Sequence, residues 1–234
     1  DGKKNSENSS QIISLDKSTG EVVSSLTVKG DIRSSVTYSA ETDSYYTSSK
    51  AGYIYKFSVD SSGKLGSLKT YTASGAVTAT PVIYGGRLYV GCQNGSAGKF
   101  IVLDAKTMKE IYTADMQGYP QASMLIATGY EQTSGKIYIY STYNAKPGGI
   151  TAFEDSQGQT SVVKTELFTP DTDMQQYCIS TVSAGEDGTL YYKNDSGNIF
   201  ALREGKTGIQ SLVQKIIDAI KNIIAKIITL LGKK

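Results

Sequence analysis

The sequence predicts an all-β propeller built from four-stranded antiparallel blades. Three observations carry this. The stretch Gly75 to Met116 reads as four short strands separated by glycine turns. The second of those strands recurs along the chain, as Ser44-Tyr45-Tyr46-Thr47, Arg87-Leu88-Tyr89-Val90, Lys136-Ile137-Tyr138-Ile139 and Thr189-Leu190-Tyr191-Tyr192. The third recurs five times, with the apolar pairs Ile12/Leu15, Ile54/Phe57, Phe100/Leu103, Ile150/Phe153 and Ile199/Leu202. Runs of β-branched and aromatic residues punctuated by glycines that can take φ > 0 are what an antiparallel meander requires. One such sheet cannot bury both faces, so it needs neighbours like itself. A repeat of roughly 40 to 50 residues with four strands per repeat is the period of propeller blades. By spacing alone, Tyr46, Tyr89, Tyr138 and Tyr191 occupy one equivalent position.

Taken in order, blade one is a half. Its third strand lies near 11–16 and its fourth near 21–28, joined by the turn Lys17-Ser18-Thr19-Gly20. Blade two spans about 31–72, blade three 75–116 and blade four 120–168, the last enlarged at Gly129 to Gly135 and Tyr143 to Gly149. Blade five begins near Cys178, has three strands and ends at Leu202-Arg203. The strand count does not close a ring. The expectation is that this is the C-terminal part of a longer protein, with upstream blades making a ring of about seven or eight. The division is a propeller over 1–205 and an amphipathic α-helix over 206–234. In the latter, Val213, Ile216, Ile220, Ile223, Ile227 and Leu230 alternate in steps of three and four, the spacing of one helical face. Gly232 and the closing lysines suit its C-terminal end.

Composition narrows the function. The formal net charge of +2 and the lack of a basic stripe give no basis for a nucleic-acid partner,. Histidine is absent, which excludes a Ser-His-Asp triad, a Cys-His pair and histidine-ligated metals within this chain. The 17 tyrosines against 5 phenylalanines suit half-buried strands whose hydroxyls reach a polar edge,. Cys92 and Cys178 lie about two repeats apart, so two buried thiols are expected rather than a disulfide,. No stretch is long and uniformly apolar enough to span a bilayer as a helix.

The turns after the third strands carry aspartates: Asp16-Lys17-Ser18-Thr19-Gly20, Asp60-Ser61-Ser62-Gly63, and the partial versions at Asp104 and Asp155. An aspartate opening a turn accepts backbone N–H bonds within it, and turns on separate blades do not converge on a calcium ion. Gly185-Glu186-Asp187-Gly188 and Asn194-Asp195-Ser196-Gly197 read as tight interstrand turns before they read as a metal site,.

The pattern Gly-x-Ile/Phe-x-x-Leu-Asp-x-x-Thr-Gly after Gly-x-Leu-Tyr-Val-Gly resembles the repeats of the PQQ-like (quinoprotein alcohol dehydrogenase-like) β-propellers, over roughly 11–203. The resemblance implies the fold. It does not imply an activity, because that superfamily holds catalytic quinoproteins and non-catalytic bacterial surface proteins alike. Catalytic members stack the quinone on tryptophan and have an adjacent cysteine pair. This chain contains no tryptophan and its two cysteines are far apart, so no cofactor is assigned. The expectation is a non-enzymatic binding or scaffold propeller of an exported bacterial cell-surface protein, presenting loops to a glycan or protein ligand. Tyr130, Tyr140 and Tyr143, in and around the enlarged loops of blade four, are the candidate contacts. The alternatives are a fragment of a PQQ- and calcium-dependent alcohol or sugar dehydrogenase, and an assembly scaffold that docks partners through its terminal helix. In that helix Ile216, Ile220, Ile223, Ile227, Lys215 and Lys226 would meet the propeller itself, a partner helix or an anionic membrane surface,.

Overall fold

A computed structural model describes residues 8–203. The 206–234 segment, including Ile216, Ile220, Ile223, Ile227, Lys215 and Lys226, lies outside the described residues. Five successive sheets follow the chain, each an up-and-down meander. The first pairs β1 (Ser9–Leu15) with β2 (Val22–Lys29). Blade two contains β3 (Thr37–Ser39), β4 (Ser44–Ser48), β5 (Tyr53–Val59) and β6 (Leu65–Thr72). Blade three contains β7 (Val82–Tyr84), β8 (Arg87–Asn94), β9 (Ala97–Asp104) and β10 (Glu110–Met116). Blade four contains β11 (Leu125–Ala127), a four-residue helix α1 (Glu131–Ser134), β12 (Lys136–Thr142), β13 (Ile150–Ser156) and β14 (Val163–Phe168). Among the described residues blade five has three strands, β15 (Ser183–Ala184), β16 (Leu190–Lys193) and β17 (Ile199–Leu202).

The core is a series of layers between neighbouring sheets. Because side chains alternate across a strand, each blade sends one set of residues back to its predecessor and the other set forward. Tyr46 and Ile54 of blade two meet Leu88, Val90, Ile101 and Leu103 of blade three. Tyr89, Phe100 and Val102 of blade three meet Ile137, Ile139 and Phe153 of blade four, where Phe100 and Phe153 stack with ring centroids 4.0 Å apart. Ile150, Tyr140 and Phe168 of blade four meet Leu190, Tyr192 and Phe200 of blade five. The apolar pairs read from the sequence are therefore two-sided. The first member faces the next blade and the second faces the one before.

The strand register corrects one equivalence. Tyr46, Tyr89, Tyr140 and Tyr191 stand opposite Lys56, Val102, Ala152 and Ala201, each one residue before the second member of an apolar pair. Tyr140, not Tyr138, is thus the blade-four counterpart. A shift of two residues leaves a side chain on the same face, so the hydrophobic pattern does not reveal it.

Each of the two outer sheets has one face that no other sheet among the described residues covers. Ile54, Phe100 and Ile150 are each 0% exposed, whereas the corresponding Ile199 is 78% exposed. On the other outer face, Leu15 is 52% exposed, whereas its counterparts Phe57, Leu103 and Phe153 are buried.

Turn chemistry follows the aspartates as expected. Asp16 Oδ1 accepts from the Ser18 and Thr19 amides at 2.8 and 2.9 Å, and Asp60 Oδ1 from Ser62 and Lys64 at 2.9 and 3.0 Å. Asp104 Oδ1 accepts from the Thr107 amide and hydroxyl, both at 2.7 Å. These donors, with the Ser62 hydroxyl at 2.6 Å foremost at Asp60, hold all three carboxyls below their usual pKa,. In blade five, Asp187 Oδ1 accepts from the Thr189 amide at 3.0 Å and Asn194 Oδ1 from the Ser196 amide at 3.1 Å, as tight turns require. Cys92 and Cys178 are buried, unpaired, and belong to different interblade layers.

The 143–149 loop of blade four is wedged between blades rather than projecting. Gly148 takes φ +70°, and a Cβ there would lie 1.8 Å from the Gln176 carbonyl oxygen. Only glycine fits a left-handed backbone pressed this closely against another chain segment.

Candidate functional site

The α1 insertion organises the end of blade four. Its turn is held by the Tyr130 carbonyl, which accepts from the Ser134 amide at 2.9 Å and the Ser134 hydroxyl at 2.8 Å. Gly135, at φ +69°, closes it by donating to the Glu131 carbonyl at 2.8 Å, a left-handed C-terminal cap. Tyr130, 59% exposed, is thereby set edge-on against Tyr138, with centroids 5.9 Å apart and planes at 79°, a favourable aromatic geometry. Tyr138 donates to Glu154 at 3.4 Å, and Lys136 bridges the same carboxylate at 2.8 Å.

The three sequence candidates separate. Tyr130 is exposed on the α1 turn. Tyr140 shares the face of β12 with Tyr138 but is half-buried against the blade-five layer, and burial pushes its hydroxyl pKa up. Tyr143 is fully buried in the layer between blades three and four, where its hydroxyl donates to Gln117 Oε1 at 3.0 Å. Its ring fills core space and is not at a surface. The accessible aromatic pair is therefore Tyr130 with Tyr138 behind it.

On the other side of α1, Glu131 reaches blade three and accepts from the Tyr84 hydroxyl. That contact, more than desolvation, raises the Tyr84 pKa. It also forms one wall of a cleft of about 190 Å³ between blades three and four, with Arg87 and Asp155 among the lining residues. Arg87 Nη1 donates to Asp155 Oδ1 and Oδ2 at 2.9 and 3.1 Å, and Nη2 to the Gln159 carbonyl at 2.8 Å. Tyr89 donates to Asp155 Oδ2 at 2.7 Å. The two charged side chains are 9% and 1% exposed. Burial first, then the Asp155 contact, drives the Tyr89 pKa far up, so its hydroxyl stays protonated and donating. Asp155 heads a turn that resembles those of Asp16 and Asp60, yet it clamps two blades together. Sequence reasoning missed it. The available signal was the lack of a Ser/Thr side chain two or three residues on that could cap it from Gln157-Gly158, together with an arginine opening the second strand of blade three alone.

No family model matches the chain, and no curated protein matches it. Solved structures do. The chain is similar to the crystal structure of BamB from Moraxella catarrhalis, with a TM-score of 0.52 and 13% identity over 78% of this chain and 50% of that one. It is similar to the Dos1 propeller, with a TM-score of 0.58 and 14% identity over 85% and 54%. It is also similar to the quinohemoprotein alcohol dehydrogenase from Comamonas testosteroni, with a TM-score of 0.56 and 12% identity over 82% and 38%. The fold is a β-propeller of four-stranded antiparallel blades. The chain spans about half the length of the first two and less of the dehydrogenase, and at these identities the likeness establishes fold alone.

A quinone–calcium centre does not fit the residues present. The chain has no tryptophan to stack on a quinone. Cys92 and Cys178 sit in separate interblade layers. Among the described residues no three His, Cys, Asp or Glu side chains gather where a metal ion would be held. Among the described residues no helix is long and apolar enough to cross a membrane.

Proposed function

We propose that this chain is a non-enzymatic binding scaffold, the propeller of an exported bacterial cell-surface protein, and that the α1 end of blade four contacts a glycan or protein ligand. The observation that carries the reading is Tyr130: a largely exposed ring, fixed by a capped turn and braced edge-on by Tyr138. A rigid aromatic on a sheet scaffold offers a sugar face or an apolar side chain a flat surface at little entropic cost. The similarity to the BamB and Dos1 propellers supports the propeller fold on which this reading rests. Tyr140 contributes by positioning the strand under this platform, and Tyr143 by fixing the 143–149 loop.

The competing enzymatic reading is tested by supplying pyrroloquinoline quinone and calcium to the full chain with primary alcohols and aldoses, and following reduction of an artificial electron-acceptor dye. The scaffold reading expects the rate of the protein-free blank. Turnover proportional to protein concentration would overturn it.

A further inference from the structure

The cleft between blades three and four lies across α1 from the Tyr130 platform and has its own chemistry. Its lining carries three formal charges: Arg87, Asp155 and Glu131. The first two neutralise each other through the two bonds from Arg87 Nη1, and the second guanidinium nitrogen is spent on the Gln159 carbonyl. Glu131 has no cation within ion-pair distance among the described residues, and it accepts from the Tyr84 hydroxyl. A carboxylate has room for several donors, so one phenol leaves it short.

The cleft therefore presents one uncompensated negative charge, an aromatic residue at Tyr84, the edge of the nearly buried Ile137 and backbone at Gly85 and Gly135. Its volume accommodates a single side chain and not a drug-sized ligand. An anion would meet Glu131 with no free cation to offset it. A neutral apolar group would desolvate that carboxylate without replacing its water. We infer that this cleft takes one cationic side chain, the primary ammonium of lysine or the guanidinium of arginine, from a protein or peptide partner. The cation pairs with Glu131, lies against Tyr84, and rests its aliphatic stem on Ile137. This inference goes beyond the Tyr130 platform and does not depend on what that platform binds.

The test is NMR titration of the ¹⁵N-labelled chain with blocked lysine and blocked arginine, N-acetylated and carboxamide-capped, against blocked norleucine and inorganic phosphate. The amide signals of Gly85, Gly135 and Gln157 should shift and saturate with the cationic probes and stay still with the other two. Raising the salt concentration should weaken the response, as the site is open to solvent. Glu131→Gln keeps an oxygen for Tyr84 and removes the charge, and should lower affinity for the cationic probes by about tenfold or more while leaving the remaining amide spectrum unchanged. Tyr130→Ala should leave these shifts in place, which separates this site from the platform. No response to either cationic probe, an equal response to norleucine, saturation by phosphate, or full binding by Glu131→Gln would each overturn the inference.

Discussion

Ile54 and Ile199 occupy the same place in their blades, the first position of the third-strand pair, facing the following sheet. One is 0% exposed and the other 78% exposed. This pair isolates the contribution of interblade burial from that of strand propensity, since both isoleucines sit in third strands paired on the inner side. Replacing Ile54 by alanine removes three buried carbons and leaves a void between blades two and three. Large-to-small changes of this kind cost about 2–5 kcal/mol. Ile199→Ala removes side chain that is already in water, and should stay within about 0.5 kcal/mol. Urea unfolding followed by far-UV circular dichroism gives both differences. At this chain length each kcal/mol should also move the thermal midpoint by about 2–4 °C. Equal costs would refute the assignment of faces, because they would require Ile199 to be covered as thoroughly as Ile54.

Two further outcomes follow from the interblade clamp and the turns. Asp155→Asn or Arg87→Met should each destabilise by about 3–5 kcal/mol, since either strands a buried charge; the double replacement Arg87→Met with Asp155→Leu should recover part of that loss in a double-mutant cycle of denaturant midpoints. Asp16, Asp60 and Asp104 have native pKa values below the ordinary carboxylate value. Their contribution to stability is therefore fully present above about pH 4, and is lost as the pH falls through the lowered native values. Urea midpoints measured from pH 6 down to pH 2 should fall less steeply for Asp104→Asn than for the unaltered chain, and parallel curves would contradict this.

Most of the architecture was legible because blade chemistry is local. The glycine turns, the aspartate-led bends and the two-sided apolar pairs each announce themselves within about ten residues, and they recur. What was hidden depends on contacts between repeats. Tyr138 and Tyr140 both point to the same side of β12, so only pairing with Ala152 shows which one matches Tyr89. Tyr143 sits in a glycine-rich stretch that resembles a projecting loop. It is instead drawn into the layer by close approaches such as that of Gly118, where a Cβ would lie 3.1 Å from the Tyr143 ring. Asp155 shares its local signature with aspartates that only cap turns, and its role is set by Arg87 on another blade. The helix α1 has four residues, too few for a helical period to register,. Yet it is the element that divides the Tyr130 platform from the Glu131 cleft.

On the proposed function, the α1 end of blade four binds its ligand through Tyr130. The most direct measurement is binding of the fluorescently labelled full chain to arrays of immobilised bacterial and host glycans and of extracellular protein fragments, run in parallel with Tyr130→Ala. The unaltered chain should bind a restricted set of array members reproducibly, and Tyr130→Ala should reduce that binding about tenfold or more with unchanged thermal stability. Ligands bound equally well by the two proteins, or an array on which the unaltered chain binds nothing, would contradict it.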